Sequence, residues 1–290
     1  MAVLPVSVVV PTIGRPEQLE RCLESLSRCE PQPSEVLVVD QSNDGETAET
    51  VARFVQLGAR TIPCDGRGIA LAMNVGLAQA GHSVVLVTHD DCRVDASWVG
   101  VAYGLMAEDP DGIVTGRVLP LGDPARVPST RDDAQPRDYT GELHVSVLSP
   151  HNMALNRARV VELGGFDEHF ISAAEDCDLC YRWLRAGRSL RYEPGMVVWH
   201  DDWREDAQLD RLHTYYQYWL AYFYAKHLRR GDLAILRFVL RSLYWWLHGA
   251  ASVAIRRHPR RSSDPRWFLR GFPAGFVAGW RAYAPGRRPA

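Results

Sequence analysis

The sequence predicts an α/β fold, a mostly parallel sheet flanked by helices with a helical extension at the C-terminal end. Three observations carry this. Short apolar runs rich in β-branched residues alternate with stretches of helical periodicity through residues 6–87. Three of those runs end in polar groups, at Pro11-Thr12, Asp40-Gln41-Ser42 and His89-Asp90-Asp91. The charge balance then reverses near residue 204, where a basic, aromatic-rich segment begins.

The elements follow in order. Val6–Val10 is a continuous β-branched run stopped by Pro11, the pattern of a strand buried on both faces. Glu17–Leu26 places Leu19, Cys22, Leu23 and Leu26 at helical spacing. Glu35–Val39 reads as a second strand, Glu46–Val55 as a helix, Arg60–Pro63 as a short strand and Gly68–Ala80 as an amphipathic helix before the strand Ser83–Val87. Strands alternating with helices give βαβ units with right-handed crossovers. Residues 120–140, rich in Pro, Asp and Arg, read as a mobile loop. A helix is expected around Arg157–Leu163, stopped by Gly164-Gly165, and another over Cys177–Ala186 opened by Ala174-Glu175-Asp176. Leu190–Glu193 and Met196–Trp199 read as two short strands, the second ending at His200.

The 290 residues suffice for one large α/β domain or two small ones, and the net charge is only −2. That small value hides an uneven distribution. From Arg204 onward there are 16 Lys/Arg against 5 Asp/Glu, whereas the first 203 residues carry 17 against 30. The first residues, MAVLPVSVVVPT, read as a strand rather than a secretory signal, and six cysteines without short repeated spacing are expected to be reduced thiols. Cys177 and Cys180 form a CxxC within a helix-like run and read as packing. No stretch of 18 uninterrupted apolar residues suggests a spanning helix.

Ligands of parallel α/β sheets sit beyond the carboxyl ends of the strands, so the three polar strand ends mark the candidate site. Carboxylates there suit a divalent cation that neutralises phosphate oxygens. Asp91 can supply one ligand, and His200, after another strand, can supply nitrogen; read alone, His200 is better taken as a surface imidazole beside Asp201 and Asp202. Glu175-Asp176 at a helix start either complements the helix dipole or provides a general base. There is no G-x-x-x-x-G-K-[ST] loop, no full dinucleotide fingerprint at Asp65-Gly66-Arg67-Gly68 and no G-x-S-x-G elbow, which counts against kinase, P-loop hydrolase, dehydrogenase and esterase chemistry.

Across residues 5–203 these blocks, in this order, resemble the family 2 glycosyltransferases, inverting enzymes with the GT-A fold, a Rossmann-like mostly parallel sheet flanked by helices. VSVVVPTIGRPEQLERCLESL resembles the family's first strand and helix, placing Pro11 and Thr12 against the nucleotide-sugar. EVLVVDQSNDG resembles its second strand, whose terminal acid, here Asp40, contacts the nucleotide base. GRGIALAMNVGLAQA resembles the helix lying on the nucleotide-sugar, with Asn74 matched; the usual Arg is Met73 here, and Arg67 is the candidate substitute.

VTHDDCRVDASWV resembles the metal-binding strand end, which implies Asp91 as metal ligand and Asp90 beside the donor. His89 departs from the pattern, standing where the first acid of an Asp-x-Asp triplet is normal; imidazole can meet a ribose or phosphate oxygen or Mn²⁺ but brings no negative charge. HNMALNRARVVELGGFDEHF resembles the acceptor-side segment. AAEDCDLCYRWLRAG resembles the block whose Asp is the base, which implies Asp176 as catalytic base with Glu175 its neighbour, and VVWHDD implies that His200 reaches the metal.

The resemblance thus implies a catalytic domain over 1–203, a basic aromatic extension over 204–290, Mn²⁺ or Mg²⁺ as cofactor, and a nucleoside-diphosphate sugar as donor. The acceptor is expected to be a glycan, a lipid-linked molecule or a small molecule, in envelope-glycan, glycolipid or natural-product glycosylation. The extension, with HTYYQYWLAYFYAKHLRR and LAILRFVLRSLYWWLHGAASVAIRR, fits either a membrane-surface helix or a helical hairpin packed on the domain or on a second copy in a homodimer. No nucleic-acid partner is expected, and a cytoplasmic location, with the inner face of the membrane as a peripheral option, follows from the same reading. Two alternatives stay open: a non-catalytic nucleotide-sugar-binding module, motivated by His89, and a sugar nucleotidyltransferase, for which PTIGRPEQ offers little of the required glycine-rich loop.

Overall fold

A computed structural model describes residues 2–42, 45–201, 204–254 and 265–284. The chain divides into two compact units, one of Met1–Ile171 with Glu175–Asp202 and one of Ser172–Ala174 with Trp203–Ala290. The expected boundary after 203 and the acid Asp202 of VVWHDD fall outside the described residues.

The first unit runs β1 (Val3–Thr12), α1 (Pro16–Ser27), β2 (Gln32–Asp40), α2 (Glu46–Ala52), β3 (Ala59–Pro63), α3 (Ile69–Gln79), β4 (Val84–Val87), β5 (Cys92–Val94), α4 (Trp98–Glu108), β6 (Ile113–Leu121), β7 (Arg137–Tyr139), β8 (Met153–Asn156), α5 (Arg157–Glu162), α6 (Glu175–Arg185) and β9 (Leu190–Asp201). The strands form one mixed sheet in the order β3-β2-β1-β4-β8-β6-β9-β5, with β7 paired to β9. β1 to β4 are mutually parallel and β6 runs parallel to β9, while β8 lies antiparallel between β4 and β6.

Side-chain alternation along β1 divides the core into two layers. Val6, Val8 and Val10 face the layer holding Leu19, Leu23 and Leu26 of α1 and Trp98 of α4. Val9 faces the layer of α3 and α6, with Ala72, Met73, Leu179 and Trp183. α3 lies so close to β1 that a Cβ on Gly76 would stand 2.4 Å from Val9 Cγ1, so this helix needs glycine there. Local signals agree with the packing. Pro16 opens α1 with Glu17 in its first turn, and the Asn156 side chain caps α5 by accepting from the Arg159 amide at 3.2 Å.

Three expectations changed on folding. The two short strands expected over 190–199 are one strand, β9, because a register shift opposite Gly116/Arg117 absorbs Pro194 to Met196 as an irregularity instead of ending the pairing. The expected helix 46–55 stops at Ala52 and tightens into a short turn. Residues 120–140, read as a mobile loop, are tied down: β6 extends to Leu121, Val118 bridges to Arg131, and β7 pairs Arg137–Tyr139 with β9. Arg131 anchors this stretch, donating to the Val147 carbonyl at 2.9 Å and the Tyr139 hydroxyl at 2.8 Å with its guanidinium 3.8 Å above the Tyr192 ring.

The second unit contains α7 (Asp206–Arg229), α8 (Leu236–Ala254) and α9 (Pro265–Ala282). α9 was legible only as a basic aromatic segment, since its glycines and Pro273 argue against a helix. Those glycines have a packing role. A Cβ on Gly271, Gly275 or Gly279 would come within 2.0–2.6 Å of α7 backbone oxygens, so the bare face lets the two helices approach closely. Among the described residues no helix is long and apolar enough to cross a membrane.

Candidate active site

Strand register assembles the candidate site at the carboxyl edge of the sheet. The β1–β2 pairing sets Thr12 beside Asp40; the β1–β4 ladder ends at Val9–Val87, and three residues past that pair on each side the Thr12 hydroxyl donates to Asp90 Oδ2 at 2.7 Å. Pro11, opposite Val39, and Thr12 are the last two residues of the buried part of β1. The antiparallel β4–β8 ladder pairs Val87 with Met153, so two residues further on His89 stands across from His151, their rings 4.4 Å apart. The antiparallel β5–β9 ladder pairs Cys92 with His200, which brings His200 to Asp91. Parallel strands therefore supply the Thr12–Asp40–Asp90 row, and the two antiparallel returns supply the imidazoles.

His200 is 1% exposed, so the surface-imidazole alternative does not hold. Its Nδ1 lies 3.0 Å from the Pro128 carbonyl oxygen, which can only accept, so Nδ1 carries a proton and Nε2 points at Asp91 Oδ2, 3.5 Å away. Two electron-pair donors so placed call for a positive charge between them, a proton or a metal ion. The His151 ring stands 4.5 Å from that of His200, with Nδ1 3.3 Å from Ser149 Oγ. Donor atoms of His89, Asp91 and His151 lie within 4.8 Å of one another. Imidazoles held from behind by an oxygen and converging on a carboxylate fit a divalent cation.

Arg15 is the positive charge already at hand. Its guanidinium spans both acids, Nη2 at 2.7 Å from Asp90 Oδ1 and Nη1 at 3.1 Å from Asp91 Oδ2, while the two carboxylates are 0% and 2% exposed. Burial pushes Asp90 up to about 7 against the pull of Arg15, and the adjacent Asp91 charge adds to the rise.

α6 precedes β9, a strand running with β1, so its N-terminus returns to the same carboxyl edge. The Ile69 amide at the start of α3 donates to the Ile171 carbonyl at 2.9 Å, which fixes the chain four residues before Glu175. Burial, reinforced by the Asp176 charge, pushes Glu175 well above the usual carboxylate range, and its Oε2 is buried without a hydrogen-bond partner among the described residues. Burial also raises Asp176, to about 6, opposed by hydrogen bonds from Cys177. Ala174, directly before the helix, has φ of 68°, a left-handed conformation that costs a non-glycine residue about 1–2 kcal/mol.

One expected binding residue has a structural task instead. Asn74 is committed to the chain: its amide nitrogen donates to the Phe166 carbonyl and to Glu168, each at 2.8 Å, and its oxygen accepts from the Phe166 amide at 2.9 Å. It holds the turn after Gly164-Gly165 and so positions the approach to α6. Arg67 is exposed, and Met73, where the resemblance led one to expect arginine, is core. Sequence reasoning passed over Arg15 and His151. The signal for His151 was present in HNM at the start of β8, but only the β4–β8 register reveals its partner. The buried pair Asp178–Arg182, joined at 2.7 Å, was also missed; Arg182 fastens the carbonyls of Leu163 and Gly165.

A mixed sheet whose carboxyl edge gathers acids and imidazoles, with a helix-borne Glu-Asp pair returning to that same edge, defines the class, a GT-A-like α/β scaffold. The model of glycosyl transferase family 2 matches residues 7–163, and the chain belongs to that family. It is 31% identical over 236 residues to the N-acetylglucosaminyl-diphospho-decaprenol L-rhamnosyltransferase of Mycobacterium tuberculosis, covering 68% of this chain and 76% of the relative. It is 28% identical over 208 residues to the pre-mycofactocin glycosyltransferase of the same organism, of whose length it spans 42%. Among solved structures, the mannosyltransferase PcManGT from Pyrobaculum calidifontis, in complex with GDP-Man and Mn²⁺, superposes with a TM-score of 0.61 at 19% identity, over 96% of this chain and 86% of that one. That likeness establishes the GT-A fold.

Proposed function

We propose that this chain is an inverting glycosyltransferase that moves a sugar from a nucleoside-diphosphate donor to a hydroxyl of a lipid-linked acceptor. The observation that carries the reading is the convergence, by strand register, of Asp91, His89, His151 and His200 beside the Thr12–Asp40–Asp90 row. The acceptor class follows the M. tuberculosis rhamnosyltransferase, whose name specifies a decaprenol-linked acceptor.

In this mechanism Thr12 and Asp40 face the nucleoside, with Asp40 already oriented by the Ser42 amide at 2.8 Å. His89, Asp91 and His151, with His200 behind Asp91, would hold a divalent cation, which would supply positive charge to a diphosphate leaving group. Imidazole nitrogens with one carboxylate suit Mn²⁺ better than Mg²⁺, which prefers oxygen. The Glu175–Asp176 pair divides the proton chemistry. Burial and the Asp176 charge raise Glu175 well above the usual carboxylate range, which favours Asp176 as the anion of the pair that takes the acceptor's proton. Arg67, exposed between the Gly66 and Gly68 carbonyls that accept from Gln41, is available to the diphosphate.

Incubation with uridine, guanosine and thymidine diphospho-sugars, Mn²⁺ and a polyprenyl-diphosphate-linked acceptor tests this. Release of nucleoside diphosphate with a β-for-α (or α-for-β) change at the anomeric carbon, lost in Asp91→Asn and Asp176→Asn, is the expected result. Product of retained configuration, or turnover untouched by both substitutions, refutes it.

A further inference from the structure

We propose that the outward face of α8 is a docking surface for an anionic lipid bilayer. The inner side of this helix is settled within its unit: Phe238 is buried, Trp246 stacks on Phe268 at 5.1 Å, and Ser242 Oγ meets the Tyr224 hydroxyl at 2.9 Å. The outer side is of a different kind. Leu236, Leu240, Tyr244 and Leu247 recur at helical spacing along one stripe and are exposed, Leu240 at 64% and Leu247 at 58%. Arg237, Arg241, Trp245 and His248, also exposed, form the adjoining stripe. No Asp or Glu occurs between Asp232 and Asp264, so the whole outward half of the helix is apolar, aromatic or basic.

Water alone does not account for such a face, since large apolar side chains at successive turns form a continuous patch rather than scattered exposure. A second copy of the chain is a poor occupant. Twofold pairing would appose this face to itself, arginine to arginine, with no acid on the helix to pair them and a net charge of +11 on each copy from Arg204 onward. A bilayer surface meets all three features. Leucines enter the acyl boundary, Tyr244 and Trp245 lie at head-group level, and the arginines extend to lipid phosphates. Because no described helix can span a membrane, the contact is peripheral. The docking face depends on α8 alone; its use, bringing the enzyme to a lipid-linked acceptor, rests on the proposed function.

Co-sedimentation of the full chain with vesicles tests the proposal, comparing phosphatidylcholine with phosphatidylcholine doped with phosphatidylglycerol. The chain should pellet with the anionic vesicles in low salt. Leu240→Glu should lower that affinity roughly tenfold or more, and the pair Arg237→Gln with Arg241→Gln should lower it roughly fivefold per residue on anionic vesicles alone. Both variants alter exposed side chains, and nucleoside-diphosphate binding with Mn²⁺, followed by calorimetry, should be unchanged in each. Failure to pellet with either vesicle overturns the proposal, as does pelleting indifferent to lipid charge and to these substitutions. A dimer in solution that Leu240→Glu dissociates, without vesicle binding, overturns it and gives the face to a second copy. Nucleotide binding without vesicle binding defeats the docking surface but leaves the catalytic reading intact, and the converse result separates them the other way.

Discussion

Arg15 does in the folded chain what a divalent cation would do, neutralising Asp90 and Asp91 where neither can reach bulk water. A cation arriving at Asp91 meets that guanidinium, so the two compete. Arg15→Gln should therefore bind Mn²⁺ about tenfold more tightly, the effect of removing one nearby like charge in a partly screened site; unchanged or weaker binding by Mn²⁺ electron paramagnetic resonance would show that the guanidinium does not compete. Asp176, the proposed base, would set function against stability. Its pKa rises from 3.8 to about 6 on folding, so the folded protein binds the proton more tightly than the unfolded chain and loses stability as pH climbs through that window. Asp176→Asn should accordingly raise the melting temperature at pH 7, by about 1–3 kcal/mol of stability, while lowering transfer roughly 10²–10⁴-fold. In the unaltered protein, kcat/KM should fall about tenfold per pH unit below about 6, as the base becomes protonated. A flat profile down to pH 5 would take the base role from this residue.

At the scale of elements, the turn that delivers α6 depends on one glycine and one amide. Gly165 has φ of 66°, and a Cβ there would stand 2.7 Å from Asn74 Oδ1. Gly165→Ala should cost about 1–2 kcal/mol for the backbone alone, and Asn74→Ala about 1 kcal/mol for its part-buried hydrogen bonds to the Phe166 backbone. Because the alanine at 74 also removes the atom in the way, the double variant should lose less than the sum of the singles in thermal denaturation. Strict additivity would mean that the two do not share one constraint. The strand elements carry a parallel lesson. His89 and His151 meet because β8 returns antiparallel to β4, and a one-residue slip of that ladder would turn His151 to the other face of the sheet.

Across the whole molecule, charge is segregated, with −13 before Arg204 and +11 from there onward. If the basic part serves a lipid surface, its contribution is long-range and screened. Vesicle binding should weaken steeply between low salt and physiological ionic strength, where the Debye length falls to about 8 Å. The leucine contribution should persist, so Leu240→Glu should remain damaging at either salt. Binding insensitive to salt would leave hydrophobic contact as the whole effect.

Much of this protein was legible in the residues taken one after another. Val6–Val10, Glu35–Val39 and Val84–Val87 are strand because β-branched runs of that length suit a doubly buried sheet, and the polar groups that follow, at Thr12, Asp40 and Asp91, marked the edge of the candidate site. Those signals are local, within reach of a dozen neighbours. Whether His200 was a surface imidazole, how His151 meets His89, and what Arg15 and Asn74 hold are questions of register and return, settled by residues 62 to 109 positions away. α9 escaped for the same reason. Its glycines look like helix breakers until α7 lies against them, because a missing side chain has a purpose only once a second backbone fills the space.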